Sequence, residues 1–131
     1  MYKLTLPVTV AVLACLAAPL SFAAGNSAQE ISTATTHAQL AVTATDKKTA
    51  DMHLHHVINC LVGSGGRGYD ASAGNPCKGM GNGALNDVRS TATKEKLDHV
   101  LTLAKRGIHA SKLTTAQRDA KWAVKTLNSA G

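Results

Sequence analysis

A glycine-rich stretch between residues 63 and 83 most constrains the fold, because it holds eight of the chain's eleven glycines. Asn75, Pro76 and Asn82 interrupt the same stretch. Glycine is conformationally permissive and proline lacks a backbone donor, so neither a helix nor a strand is expected here. The sequence therefore predicts two helical halves joined by a long loop. A loop of this length inside a compact domain is typically functional or mobile.

Two helices are predicted before the loop. The segment Ser27-Ala28-Gln29-Glu30 has the spacing of a capping box, and apolar residues then recur at helical period over residues 28–44. Asp46 is suited to cap a second helix, because its carboxylate can accept hydrogen bonds from the free amides at the helix start. That helix is expected to run to about Val62, with Gly63 in the left-handed conformation that ends it.

Two further helices are predicted after the loop. Apolar residues at helical period from Leu97 to Ala104 indicate a third helix, which begins near Asn86 or Ser90 and stops at Gly107. A second capping-box pattern at Thr114–Gln117 predicts the start of the last helix. Short turns within each half favour an all-α fold, a small antiparallel bundle of about four helices with the glycine-rich loop in its middle.

The segment 51–60 carries the densest functional chemistry, with three of the six histidines, a methionine and a cysteine. On a helix, His53, His56 and Cys60 share one flank of the apolar stripe, whereas His55 points to the opposite side. Transition-metal ions prefer imidazole and sulfur ligands that converge from an oriented, partly buried surface. This flank is therefore the first candidate for a binding site.

A third histidine can join this flank from the first helix. If the first two helices pair antiparallel through a turn near Asp46, His37 comes to the height of His53 and His56. Three imidazoles from two helices would suit a Cu, Ni or Zn ion. Met52 precedes His56 by four residues and could add a thioether, which would favour Cu(I). The alternative is that these are solvent-facing histidines that bind nothing specific.

Cys60 and Cys77 are the only cysteines beyond residue 15. Two thiols in an oxidising compartment normally pair, and this pair would restrain the glycine-rich loop. A disulfide is the favoured interpretation. The alternative is ligation of a soft metal by the two thiolates beside the histidines, which requires that they escape oxidation.

Residues 1–23 are predicted to be a signal peptide that is removed. A short positive start precedes an apolar run from Leu4 to Leu20, and Ser21-Phe22-Ala23 has the pattern of a cleavage site. Cleavage leaves a single helical domain over residues 24–131, exported to the periplasm or secreted. No later segment reaches the roughly 18 to 20 apolar residues of a membrane span. A competing interpretation is a lipid anchor at Cys15, at the end of a loose lipoprotein motif.

Charge and aromatic content argue against nucleic-acid binding. The formal net charge of +6 is spread along the chain, and spread charge is typical of a solvated surface. Beyond the signal peptide, Tyr69 and Trp122 are the only aromatic residues apart from histidine. Binding to nucleic acid is expected to need a dense basic face or several aromatic platforms. The possible partners are therefore a metal ion and a protein of the cell envelope.

Haem binding and enzymatic activity are both disfavoured by the sequence. No Cys-x-x-Cys-His motif is present, and the predicted core offers mostly small side chains where a haem pocket needs bulky apolar walls. No acid pair, nucleophile with an evident base or cofactor fingerprint indicates an enzyme. His99 and His109 are interpreted as incidental surface residues.

Two hypotheses follow from the sequence. The first is an exported small helical protein that binds a transition metal through a histidine cluster, for buffering, sensing or delivery. The second is a disulfide-stabilised structural or protein-interaction module of the cell envelope with no ligand. Measuring the metal content of the protein would separate them.

Overall fold

The structure is a computed structural model that describes residues 25–131, so the predicted signal peptide and Cys15 lie outside the described residues. Within this range the secondary structure is entirely helical, and the helices pack against one another. The α-helices are α1 (Ser27–Thr43), α2 (Lys47–Val62), α3 (Ala84–Asp87), α4 (Thr91–His109) and α5 (Leu113–Asn128). The all-α prediction is confirmed: the four long helices were expected, and α3 adds one turn.

Helix α1 begins differently from the prediction. Asn26 is its N-cap, and its side-chain oxygen accepts a hydrogen bond from the Gln29 backbone N–H at 3.1 Å. The predicted capping box is wrong, because Ser27 lies inside the helix and the Glu30 side chain is buried. Glu30 instead accepts a hydrogen bond from the backbone N–H of Gly83 at 2.9 Å. The Glu30 side chain therefore makes a tertiary contact with Gly83 instead of capping its own helix.

The starts of the other long helices confirm the predicted cap at Asp46, show a further cap at Ser90 and correct the cap predicted for α5. The side chains of Asp46 and Ser90 each accept a hydrogen bond from the backbone N–H three residues on, at 2.8 and 3.3 Å. The capping box predicted for α5 is wrong, because Lys112 is the N-cap and no side chain caps this end. Gln117 instead donates to the backbone oxygen of Ala44 at 2.9 Å, which joins α5 to the end of α1.

Gly107 does not end its helix as predicted. It is buried inside α4, which continues to His109. A Cβ atom at Gly107 would lie 2.7 Å from the Cδ1 of Leu54 and 3.6 Å from the backbone oxygen of Ala116. The missing side chain therefore lets α4 approach both α2 and α5 closely.

Small side chains dominate the core, as predicted. Alanine is the commonest buried apolar residue, and it allows the helices to pack closely. Two acidic residues, Glu30 and Asp119, are buried with the apolar ones. Among residues 25–131, no helix is both long enough and apolar enough to cross a membrane.

The glycine-rich loop is held at both ends. Gly63 and Gly83 have positive φ angles of 70° and 100°, and their backbones touch: a Cβ atom at Gly83 would lie 2.4 Å from the nitrogen of Gly63. The disulfide between Cys60 and Cys77 is present, with 5.2 Å between the Cα atoms. Between these anchors the chain forms turns and a single 3-10 turn at Ala71–Ala73.

Candidate metal centre

Three histidines converge between α1 and α2. The Nδ1 atom of His37 lies 3.2 Å from the Nδ1 atom of His53 and 3.2 Å from the Nδ1 atom of His56. One ring nitrogen from each of the three lies within 4.8 Å of the others, and all three side chains are partly buried. The structure thus brings together the three histidines that were predicted to meet.

The nitrogen separations match those around a transition-metal ion. Zn–N bonds are about 2.05 Å long, and two such bonds at the tetrahedral angle place their nitrogens about 3.3 Å apart. The 3.2 Å separations of His37 from His53 and from His56 are close to this value. Two of the three nitrogen pairs therefore have the spacing of ligands on a single ion.

The hydrogen bond made by the Nε2 atom of His56 shows which ring nitrogen carries the proton. Its Nε2 atom lies 2.5 Å from the backbone oxygen of Ala73, which can only accept a hydrogen bond. Nε2 therefore carries the proton, and Nδ1 of the neutral ring presents a lone pair toward His37. A backbone carbonyl in this role is the usual means of orienting a histidine that ligates a metal.

Burial favours the uncharged forms of His37 and His53. Loss of solvent, followed by the charges of His56 and then His53, lowers the pKa of His37 to about 4. Burial, followed by the charge of His56, also lowers the pKa of His53. Neutral imidazoles with free lone pairs are the form that binds metal ions.

The arrangement leaves the nitrogens incompletely satisfied by one another. The Nδ1 atom of His37 faces two other Nδ1 atoms at hydrogen-bond distance, but it can carry only one proton. Since Nδ1 of His56 already presents a lone pair, the three nitrogens cannot all be paired in the neutral state. A cation at their centre would satisfy all three lone pairs.

Within residues 25–131, no carboxylate or thiolate joins this cluster. Three neutral nitrogens would leave a divalent ion with its full charge. They would also leave a coordination position for water or an external ligand, as in zinc sites with three protein ligands. The donor set therefore fits borderline ions such as Cu, Ni and Zn rather than Ca or Mg.

The other histidines lie outside the cluster. The Nδ1 atom of His55 lies 3.4 Å from a carboxylate oxygen of Asp70, which confirms that His55 points elsewhere. His99 and His109 are exposed on α4. Met52 is 43% exposed on α2, and its role as a thioether ligand stays a prediction.

The sulfur atoms do not offer thiolate ligands. Cys60 and Cys77 are joined in the buried disulfide, so the alternative of soft-metal ligation by thiolates is wrong for this structure. The disulfide instead restrains the loop whose Ala73 carbonyl contacts His56.

Sequence reasoning missed Asn59, which lies next to Cys60 and is fully buried. Its side chain makes three hydrogen bonds to the loop, through the backbones of Asp70 and Gly74. The available signal was a carboxamide within the apolar run Val57–Leu61, because a buried polar group needs partners.

Comparison with known proteins gives no further guide to the site, because no family, curated protein or solved structure matches this chain.

Proposed function

We propose that this protein binds a Cu, Ni or Zn ion through His37, His53 and His56. The convergence of three imidazole nitrogens from two helices carries the proposal. The small antiparallel bundle expected from the sequence supports it, since residues equidistant from the turn at Asp46 would then meet. Met52 is the candidate for an additional ligand, and it would favour Cu(I).

The proposed role is metal buffering, sensing or delivery outside the cytoplasm. The signal peptide pattern in residues 1–23 supports export. Three neutral ligands with an open position suit an ion that is exchanged, because a structural zinc site normally has four protein ligands. The proposal includes no enzymatic activity.

The test is calorimetric titration of the purified protein, without a histidine tag, with Cu²⁺, Ni²⁺ and Zn²⁺. We expect one ion per chain with a Kd well below about 100 μM, which corresponds to roughly −5.5 kcal/mol. Incidental pairs of surface histidines can reach that range. Absence of tighter binding for all three ions would contradict the proposal and leave the disulfide-stabilised structural module as the better description.

Single substitutions should locate the site. His37→Ala, His53→Ala and His56→Ala should each weaken binding at least about tenfold, or about 1.4 kcal/mol, because each removes one ligand. His55→Ala and His99→Ala are the matched controls and should change the Kd little. Equal losses at His55 and His53 would indicate a loose histidine cluster rather than this site. Undiminished binding in a His53/His56 double variant would end the proposal.

A further inference from the structure

Asn59 forms hydrogen bonds with the segment of the loop that contacts the histidine cluster. Its Nδ2 atom donates to the backbone oxygens of Asp70 at 2.7 Å and Gly74 at 2.6 Å. Its Oδ1 atom accepts from the backbone N–H of Asp70 at 2.8 Å. All the hydrogen-bonding capacity of the amide nitrogen is thus directed at two points of the loop backbone.

The segment that Asn59 holds, from Asp70 to Gly74, contains the carbonyl group that orients His56. Ala73 lies between the two points that Asn59 holds, in the single 3-10 turn, and its oxygen is 2.5 Å from Nε2 of His56. Asp70 and Gly74 are thereby fixed to α2 on either side of Ala73. These hydrogen bonds therefore restrict the movement of the Ala73 carbonyl away from His56.

The spacing along α2 brings ligands and anchors together. His53, His56 and Asn59 follow one another at intervals of three residues, and Cys60 comes next. Residues three apart are neighbours on a helix surface. The disulfide from Cys60 to Cys77 restrains the loop beyond Gly74. The spacing of these four residues thus has one explanation. Asn59 and Cys60 hold the loop over a site that is formed in part by His53 and His56.

We propose that Asn59 is the positioning residue of the metal centre, fixing the Ala73 carbonyl so that His56 presents its Nδ1 lone pair. This inference rests on the proposed metal-binding function. The orientation of His56 is set by hydrogen bonds of the fold itself. Removing such an outer partner typically weakens metal binding by 10- to 100-fold.

The first test uses the metal-free wild-type protein. Two-dimensional ¹H–¹⁵N NMR spectra of the histidine side chains distinguish the two tautomers of each neutral ring. We expect His56 to be protonated at Nε2 at neutral pH, with that proton protected from solvent exchange. A ring protonated at Nδ1, or an equal mixture of tautomers, would overturn the inference even if the protein binds metal.

The second test compares Asn59→Asp with Asn86→Ala. Asn59→Asp keeps the acceptor for Asp70 and removes both donors. Asn86 also donates to two backbone oxygens, those of Val62 and Asn82. Neither contact involves the loop segment that contains Ala73. In folded Asn59→Asp, the His56 tautomers should become mixed and the Kd for Zn²⁺ or Cu²⁺ should rise at least tenfold. Asn86→Ala should change neither.

The outcomes separate this inference from the proposed function. Tight wild-type binding together with an unchanged Kd and tautomer in folded Asn59→Asp would overturn the role of Asn59 alone. Absence of wild-type binding would overturn the metal-binding function itself. If Asn59→Asp does not fold, Asn59→Ala replaces it, and the wild-type tautomer remains decisive in either case.

Discussion

At the scale of single residues, Glu30 has the most unexpected environment for a side chain predicted to cap a helix. Its Oε1 atom accepts from the backbone N–H of Gly83, while its Oε2 atom is buried without a hydrogen-bond partner. The pKa of Glu30 is raised to about 7, because burial and, to a lesser extent, the nearby Asp87 raise it more than the hydrogen bond from Gly83 lowers it. The protonated acid is therefore favoured in the folded protein up to near-neutral pH.

Replacing Glu30 should change how stability depends on pH. The unfolded side chain titrates at its ordinary pKa of 4.5 and the folded one at about 7, so the folded state binds more protons between these values. The contribution of Glu30 is fully present below pH 4.5 and is lost as pH rises through 7, by up to about 3 kcal/mol. Glu30→Gln imitates the protonated acid, so its stability relative to wild type should increase over this range.

The measurement is urea unfolding of wild type and Glu30→Gln at several pH values from 4.5 to 8. Taking the difference between the two proteins removes the opposite contribution of His37, whose lowered pKa makes stability rise with pH between about 4 and 6.5. Glu95→Gln, at an exposed position of α4, is the control for the loss of a carboxylate from the surface. A flat difference for Glu30→Gln would show that this carboxyl group titrates normally.

The lowered pKa values of His37 and His53 predict a characteristic pH dependence of metal binding. Three ligands with the ordinary histidine pKa of about 6.5 would lose affinity about sixfold between pH 7.5 and 6.5, because protons compete with the metal. Since burial lowers the pKa of His37 and that of His53, the loss over this interval should be smaller than sixfold. Titrations with Zn²⁺ at each pH would measure this. A sixfold loss by pH 6.5 would indicate exposed, independent histidines.

At the scale of helices, a buried charge joins α4 to α5. The Arg106 side chain donates two hydrogen bonds to the fully buried carboxylate of Asp119, at 2.7 and 2.8 Å. Arg118 approaches the same carboxylate only at 3.5 Å. Arg106→Ala should lower the free energy of unfolding by about 1.5 to 3 kcal/mol, because it leaves a buried charge poorly paired. Arg118→Ala, measured by the same denaturant unfolding at pH 7, should cost less than about 1 kcal/mol.

The pH dependence of the Arg106 effect provides a check. Hydrogen bonds from Arg106 hold the pKa of Asp119 below its ordinary value of 3.8. The stabilising contribution is therefore present above pH 3.8 and is lost as pH falls through the folded pKa. Equal losses in the Arg106 and Arg118 variants at pH 7 would contradict the pairing described here.

The long helices could be predicted from sequence because apolar periodicity is a local property. Helix α2 was predicted with its cap at Asp46 and its end at Val62, since both signals lie within the segment itself. The errors occurred where a distant contact prevailed. Glu30 does not cap α1 but accepts a hydrogen bond from Gly83. Gly107 does not end α4 but lies inside it, at the point where α2 and α5 approach. Such contacts have no local signature.

At the scale of the whole molecule, the histidine cluster could be predicted but its support could not. Helical geometry places His53 and His56 on one flank, and a simple pairing of two helices adds His37. The role of Asn59 depends on the path of the glycine-rich loop across α2, where turns rather than periodicity set the direction. Only the tertiary structure shows that Ala73 meets His56.

Removing the disulfide should test whether the loop and the site are one unit. Cys60 and Cys77 are 17 residues apart in sequence, and closing a loop of this size stabilises a fold by about 3 kcal/mol in the chain-entropy model. A Cys60→Ala/Cys77→Ala variant should therefore unfold at lower denaturant concentration. Its remaining folded fraction should bind Zn²⁺ or Cu²⁺ more weakly, because the loop that presents Ala73 to His56 is less restrained.

The covalent bond itself is checked by thiol labelling of protein that lacks residues 1–23, under denaturing and non-reducing conditions. We expect no reactive thiol before reduction and two afterwards. Two reactive thiols before reduction would contradict the disulfide and restore thiolate ligation. Unchanged metal affinity in the folded double variant would show instead that Asn59 alone is sufficient to hold Ala73 against His56, since its three hydrogen bonds do not involve the sulfur atoms.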